Sequence, residues 1–562
     1  MRWIEYLVLL AIVIALAHPV GLYLARVGQR RRTFLDPVLR PIESLLYRWL
    51  GVRPEQEMSA GVYSCCFLCF GAVCAIVLFL VLMIQRWLPG GPSDAYLTTP
   101  MTADLAANTA VSFTTTTTWQ AYGGEQTLRY LTQVMGLVAQ NFLAGAAGLA
   151  LGFAFIRGFA RERAATIGNF WVDLIRSLLW VLLPLALIGS LVLIWQGVPM
   201  NLAPYTLVHT LEGRTQTVAQ GPVAALEFIK NLGTNGGGFF NANGAHPYSN
   251  PTSFTNFLGM LAIAVLPASL MITFGHMTRR PRAGWVLLMV MVALFLIGLV
   301  VCDWAEAAPP PQLASLHIVG GNMEGKEVRF GVGESVLTAI VTSNGSTGSY
   351  NSMYDSYQPF GVLAALVCML LGEVVFGGLG AGVYSIVMAA LLGVFLGGLM
   401  VGRTPEYLGK KIGSGETRWI ILYSLLTPMV VLVLTGIAIV TKTGLAGLAT
   451  NSGSRGFTEI LFAYASCMAN NGQAMAGLNA NSVFYNVTTT AAMLAGRYGL
   501  AALALALAGR FAAQRRLPTT EGTLPSDTPT FGVLVFGTIV LGGALCFFPA
   551  LALGPIAEYF QH

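Results

Sequence analysis

Ten apolar runs, most of them about 20 residues long, constrain this chain more than any other feature, because each must be kept out of water along its whole length. At a rise of 1.5 Å per residue, a hydrocarbon core of about 30 Å is crossed by about 20 helical residues. Inside that core the backbone can satisfy its own polar groups only as helix or closed barrel. The runs fall at 3–25, 61–84, 130–156, 170–196, 253–275, 284–302, 360–401, 419–440, 485–509 and 529–553. Only 10% of the 562 residues are charged and 55% are apolar, whereas soluble domains carry about 25% charged residues. Soluble enzymes, nucleic-acid binders and disordered chains are thereby excluded. The net charge of +6 is not a polyanion-binding surface, since the Arg residues sit in short segments between the runs. The chain reads as an all-α polytopic membrane protein, surrounded by lipid and without a nucleic-acid partner.

The same Arg residues set the topology. The first run is followed by Arg-rich sequence rather than a small-residue cleavage site, so it reads as a retained helix and not a signal peptide. If each run crosses once, the segments after the first, third, fifth, seventh and ninth runs share one side. They carry 20 cations, from Arg26–Arg53, Arg157–Arg163, Arg279–Arg282, Arg403–Arg418 and Arg510–Arg516. The other side carries nine, namely Arg2, Arg86, Arg129, Arg214, Lys230, Lys326, Arg329, Lys442 and Arg455, spread over longer loops. Basic loops stay cytoplasmic, which predicts that both termini lie outside. The run 360–401 is long enough for two crossings. Counting it twice would place later Arg clusters on the wrong side, so it is expected to be one helix interrupted at its Gly clusters (Gly377, Gly378, Gly380, Gly382, Gly397, Gly398), and such a break belongs where it lines a cavity.

Four outer connections share a pattern: a short helical stretch, a run of small polar residues, then a new span. The runs are Thr114–Gln120, Thr234–Gly238, Ser346–Ser349 and Asn470–Gln473. Their first aligned positions, Thr116, Thr234, Ser346 and Asn470, lie 118, 112 and 124 residues apart. That spacing predicts four pseudo-symmetric repeats of helix, pore helix, filter loop and helix around one axis. The units are 59–165, 166–282, 283–415 with the broken inner helix, and 416–516, flanked by 1–58 (first helix and basic loop) and 517–562 (last helix). A dehydrated monovalent cation needs oxygen ligands from several directions, and backbone carbonyls with Thr, Ser or Asn oxygens supply them without added charge. The candidate ligands are Thr116, Thr117, Thr118 and Gln120; Thr234, Asn235 and Gly236; Ser346, Thr347 and Gly348; and Asn470, Asn471 and Gly472. None of the four runs contains Asp or Glu, as an unselective or divalent path would favour. Gly236, Gly348 and Gly472 allow dihedrals that turn carbonyls inward, whereas the first run has five consecutive Thr and no Gly, so fourfold identity is not expected.

Several stretches carry a family resemblance: Asn108-Thr-Ala-Val-Ser-Phe, Trp119-Gln120, Leu232-Gly-Thr-Asn-Gly-Gly-Gly-Phe-Phe-Asn-Ala-Asn, Asn351-Ser-Met-Tyr-Asp-Ser, Gly372-Glu-Val-Val-Phe-Gly-Gly, Gly402-Arg-Thr-Pro-Glu-Tyr-Leu-Gly-Lys-Lys-Ile and Ala469-Asn-Asn-Gly. Over nearly its whole length the chain resembles the potassium-transporting A subunits of the bacterial Kdp pump, within the superfamily of potassium transporters. The resemblance implies that potassium is the ion bound, in a multi-pass subunit of the bacterial inner membrane. It also implies a separate P-type ATPase subunit that hydrolyses ATP and two small membrane subunits. The alternative is a stand-alone potassium channel or symporter built from the same repeats.

The chain itself offers no catalytic site and no nucleotide site. It lacks a phosphate-binding Gly-rich loop ending in Lys-Ser/Thr, and Thr441-Lys442-Thr443-Gly444 has Thr where a phosphorylated Asp would stand. A lipid- or quinone-processing enzyme would need a His or carboxylate cluster, which the scattered His residues (His18 to His562) do not form. Cys65 and Cys69 stand one helical turn apart without nearby His or carboxylate and read as small packing residues. Asp173 and Arg176, at i and i+3, are expected to pair locally. Glu373 and Arg497 lie deeper. Each sits about 18–20 Å into its span at the helical rise, and an ionisable residue at that depth points to an ion path or a partner contact. The two are expected to face each other beneath the loops, Arg497 as a barrier and Glu373 as an attractive neighbour. A plain buried salt bridge between them is the rival reading.

Overall fold

Helices make up most of the molecule, and the longest of them are apolar. In this computed structural model the described residues are 2–88, 90–310, 314–317, 319–402, 405–518 and 524–561. Arg403 of the topology count, Thr404 of the sixth motif segment and His562 lie outside them. Among the described residues ten helices are long and apolar enough to span a membrane: Arg2–Gly28, Ala60–Trp87, Thr132–Ala160, Phe170–Trp195, Ser253–Met277, Pro281–Glu306, Ala381–Met400, Ser414–Val440, Val483–Ala513 and Pro529–Gln561. Local capping sets several of their starts. The Asn169 side chain accepts the Trp171 and Val172 amides, and Thr252 and Thr255 form a reciprocal capping box, which satisfies donors that the first helical turn leaves free.

Burial separates the spans into two shells. The third and fifth are buried over 89% and 72% of their apolar windows and the seventh and ninth over 56%, whereas the second, eighth and tenth reach only 28%. The four inner positions are the closing helices of the four predicted units. Small residues permit that arrangement: in the third span Gly145 packs against Gly233, and Gly148 and Gly152 against Leu379 and Gly380. The first span is part of the same assembly. It packs along the fifth, and Tyr6 donates to Asp303 (2.9 Å).

The long seventh run forms two helices separated by a break. Pro359–Leu370 runs antiparallel to the sixth span, from Glu306, which accepts the Gln358 amide (2.8 Å), to Gly298 beside Cys368. After the break, Ala381–Val401 continues past Phe155 and leads to Tyr407, which packs on Phe159. Progress is therefore in one direction. The basic segments also gather at one end: Met58 pairs with Gly168, Arg163 with Gln514, and the buried Lys410 donates to the carbonyls of Arg161 (2.7 Å) and Gln514 (2.9 Å). Each of four successive stretches runs through a long helix, a short helix, a loop and a further long helix, the third with the break. The boundaries drawn at 283 and 416 fall two residues inside helices that begin at Pro281 and Ser414.

Two charge assignments change. Asp173 does not pair with Arg176. It is held by both guanidinium nitrogens of Arg157 (2.5 and 2.7 Å) and by the Tyr63 hydroxyl (3.0 Å), while Arg176 pairs with Glu43 (3.2 Å). The fork geometry of Arg matches a carboxylate across two helices, which outcompetes a neighbour one turn away. Lys230 and Lys326, counted as outer-loop cations, have fully buried side chains, paired with Glu227 (2.9 Å) and Glu306 (2.8 Å). The imbalance of basic residues between the two ends survives without them.

Candidate functional site

Four short helices, Ala103–Thr114, Val223–Leu232, Gly331–Asn344 and Gly453–Met468, each end two residues before the first predicted loop position. The loops then repeat one backbone conformation. The first position is left-handed in all four (Thr116 φ 63°, Thr234 49°, Ser346 49°, Asn470 47°), and so is the third (Thr118 49°, Gly236 82°, Gly348 67°, Gly472 94°). The second position donates its amide to the carbonyl five residues earlier every time: Thr117 to Ser112, Asn235 to Lys230, Thr347 to Thr342 and Asn471 to Ser466, at 2.9–3.2 Å. Left-handed backbone costs a non-Gly residue roughly 1–2 kcal/mol, so this repetition is imposed by the surroundings.

The loops close on one another in a cycle. A Cβ built on Gly236 would strike the Thr347 carbonyl oxygen, one on Gly348 the Asn471 oxygen, and one on Gly472 the Thr117 oxygen. The remaining junction is made by Thr118, whose hydroxyl donates to the Asn235 carbonyl. Each third position thus meets the second-position carbonyl of the next loop, and the four carbonyls of Thr117, Asn235, Thr347 and Asn471 belong to one ring. The Gly-free first loop keeps the shared backbone and replaces a glycine contact with a hydroxyl hydrogen bond.

Most polar side chains at these positions brace the ring. Asn470 Nδ2 donates to Thr117 Oγ1 (2.9 Å) and to the Met493 carbonyl (3.0 Å), and Asn471 Nδ2 to the Thr342 and Ser343 carbonyls (3.0 and 3.2 Å). Ser346 donates to the Ala469 carbonyl. Thr116 and Thr347 hydroxyls turn back onto the carbonyls of Thr115 and Gly345. Gln120 accepts the Gly238 amide through its oxygen (2.8 Å), so that atom ties the first loop to the second. On one side of the ring a cavity of about 840 Å³ opens, lined by Trp119, Gln120, Glu125, Glu327, Tyr350 and Met475 among others.

On the other side lies the helix break. Glu373 and Phe376 are both left-handed (φ 59° and 43°), a strained arrangement that neighbours must sustain. Glu373 Oε2 accepts the Gly378 amide (3.1 Å) next to Ser346 of the third loop, and the Leu379 amide donates to Thr234 Oγ1 of the second (2.7 Å). Arg497 stands in a π-helical turn, Ala495–Gly499, that packs under Met468 and Asn470 of the fourth unit. Its Nη2 donates to the Ala144 carbonyl (3.0 Å) and lies beside Gly148, where Leu379 also packs. Glu373 and Arg497 are therefore gathered under the ring, yet among the described residues they make no ion pair within 4.0 Å, and each is held by backbone.

A buried network behind the loops was not foreseen. Lys230 Nζ bonds Glu227 (2.9 Å) and Asn243 Oδ1 (2.8 Å), and Asn243 Nδ2 donates to the carbonyls of Gly237 (3.1 Å) and Gly348 (3.4 Å), clamping two loops together. Glu227 and Lys230 at i, i+3 on a short, mostly apolar helix were the available signal. Lys230→Met, which strands a buried carboxylate, is expected to lower stability by about 3–5 kcal/mol. Adding Glu227→Met should restore most of it, as thermal unfolding in detergent will show.

Residues 7–560 match the model of a family described as the potassium-transporting ATPase A subunit. The chain is 47% identical over 580 residues to the potassium-transporting ATPase potassium-binding subunit of Acidobacterium capsulatum, covering 99% of this chain and 98% of that protein. It is 49% identical over 557 residues to the subunit of the same name from Methylobacterium nodulans, covering 99% and 97%. The crystal structure of the potassium transporter TrkH from Vibrio parahaemolyticus has a similar fold, with a TM-score of 0.54 at 14% identity over 89% of this chain and 97% of that one.

Proposed function

The chain belongs to the potassium-transporting ATPase A subunit family, and from that premise we propose that it binds potassium in the ring of four loops and passes it to an ATP-hydrolysing partner. One observation carries the reading: the second-position carbonyls of four equivalent loops join in a closed cycle. An uncharged ring of carbonyl oxygens can replace the hydration shell of a monovalent cation. Thr117, Asn235, Thr347 and Asn471 provide the central oxygens. Thr116, Thr118, Gln120, Thr234, Gly236, Ser346, Gly348, Asn470 and Gly472 hold them or contribute oxygens above and below. The 840 Å³ cavity is the entrance. The basic end of the bundle lies in the cytoplasm, which puts both termini and the entrance outside the inner membrane. A P-type ATPase subunit and two small membrane subunits complete the pump. The four units 59–165, 166–282, 283–415 and 416–516 act as one filter, and Glu373 with Arg497 lies on the route below it.

The proposal is tested on the purified chain and on the complete complex. In detergent the chain alone is expected to bind radioactive rubidium, competed by potassium, and to hydrolyse no ATP. Potassium should stimulate hydrolysis by the complex. Potassium-dependent hydrolysis by the isolated chain would overturn the division of labour. Failure of the folded complex to retain rubidium would overturn the ring assignment.

A further inference from the structure

The basic end carries a second polar site that the ion path does not use. Where the first, third and fifth spans end together, a cavity of about 580 Å³ is lined by Arg30, Arg31, Arg157, Arg161 and Arg279, with Glu57 as its lining carboxylate. Two of these cations are already matched. Arg157 is clamped by Asp173 and also donates to the Gly28 carbonyl (2.6 Å), and Arg161 holds Glu57 (2.7 Å). The hydrogen bond from Arg161 holds the Glu57 carboxyl down at about 2, so Glu57 remains charged and its pair with Arg161 is neutral overall. Arg30, Arg31 and Arg279 form no ion pair among the described residues. Arg30 donates to the Pro54 carbonyl (2.6 Å). Arg30 and Arg279 are both left-handed (φ 57° and 61°) where their helices end, each followed by an amide that returns to a carbonyl of the last turn (Arg31 to Arg26, Arg280 to Gly275), so both cations stand at helix C-termini.

Three uncompensated guanidinium groups around one cleft repel each other unless an anion joins them. Helix C-terminal carbonyls attract cations, and that alone would place Arg residues here. It does not require three of them to line a shared cavity of this size whose lining carboxylate, Glu57, is already held by Arg161. Guanidinium forks fit the oxygens of a phosphate better than those of a single-atom anion. The cleft also lies where apolar helix gives way to polar loop, the level at which phospholipid phosphates sit.

We propose that this cleft binds a phosphate-bearing anion, either the headgroup of an anionic phospholipid or a soluble phosphate, through Arg30, Arg31 and Arg279. The purified full chain in neutral detergent is titrated with dioleoylphosphatidylglycerol, dioleoylphosphatidylcholine and inorganic phosphate, with binding read by native mass spectrometry. Arg31→Gln/Arg279→Gln is compared with Arg282→Gln/Arg515→Gln, which removes two exposed charges outside the cleft. Both members of the first pair are exposed, so folding should be kept, and Arg31→Lys/Arg279→Lys retains charge while removing the forks. Phosphatidylglycerol should bind the native chain in preference to phosphatidylcholine. Its affinity should fall at least tenfold in the first variant, less in the Lys variant and less than twofold in the control. Competition by inorganic phosphate would identify a soluble ligand, and its absence would identify the lipid headgroup. Equal loss in the cleft and control variants, or equal binding of the two lipids, would overturn the proposal by reducing these residues to general surface charge.

Discussion

Gly236→Asp is expected to weaken potassium binding at least tenfold and to relax discrimination against sodium, with Gly348→Asp and Gly472→Asp behaving alike. Three effects act in the same direction. A side chain at φ 82° strains the backbone by roughly 1–2 kcal/mol, which is about a factor of ten. A Cβ at this position also collides with the Thr347 carbonyl oxygen, so one member of the ring must turn away. The carboxylate then places a full charge among neutral dipoles, which favours binding by charge density over binding by fit. Thr118→Gly provides the contrasting case, because it relieves left-handed strain (φ 49°) while deleting the hydroxyl bond to Asn235. A milder loss of selectivity is expected there. Rubidium binding competed by potassium, sodium and ammonium checks the whole series. Unchanged selectivity in all three Gly variants at normal expression would remove the ring from the ion path.

Arg497→Gln is expected to leave an assembled complex that transports poorly or leaks. A fixed positive charge 4–15 Å from a cation raises its energy by roughly 1–4 kcal/mol at an effective dielectric of 20, enough to suppress passive passage by about fivefold to several hundredfold. Arg497 sits directly beside Leu379 at the end of the helix break, and the break is bonded to the second and third loops. Removing the guanidinium therefore opens the direct route while the break stays in place. Glu373→Gln should lower potassium-stimulated turnover by deleting the attractive partner. A structural salt bridge would instead predict that each single variant fails to assemble and that the double variant recovers. The bonds of Glu373 to the Gly378 amide and of Arg497 to the Ala144 carbonyl argue against that outcome. Rubidium flux in proteoliposomes with and without ATP separates the two cases, and full recovery of transport in the double variant would end the barrier reading.

Apolar length and charge bias settled the architecture before any coordinates, because both act locally and along one dimension. A run of 20 apolar residues has few alternatives to a spanning helix, and basic segments meet through the contacts of Met58 with Gly168 and of Arg163 with Gln514. The in-phase polar runs likewise marked four loops, since the distance from the end of each short helix to the first loop position is the same in every unit. Sequence proximity failed where several partners compete in space. Asp173 chose Arg157 over Arg176 because a fork across two helices makes two bonds where an i, i+3 neighbour would make one. Lys230 looked like a loop cation, and its burial became visible only with Glu227 and Asn243 around it. The closure of the ring was also hidden. Thr118 in place of glycine suggested a break in the symmetry, but the backbone conformation is enforced by the adjoining loop and by the bond to Asn235. By itself the sequence determined which segments enter the membrane, in what order and in how many copies, because burial of apolar helix is decided segment by segment. The tertiary structure alone decided which carbonyls meet, which charges pair and what lies beneath the ring, because the ring joins loops more than 100 positions apart and each charge takes whichever partner packing brings to it, as Asp173 takes Arg157.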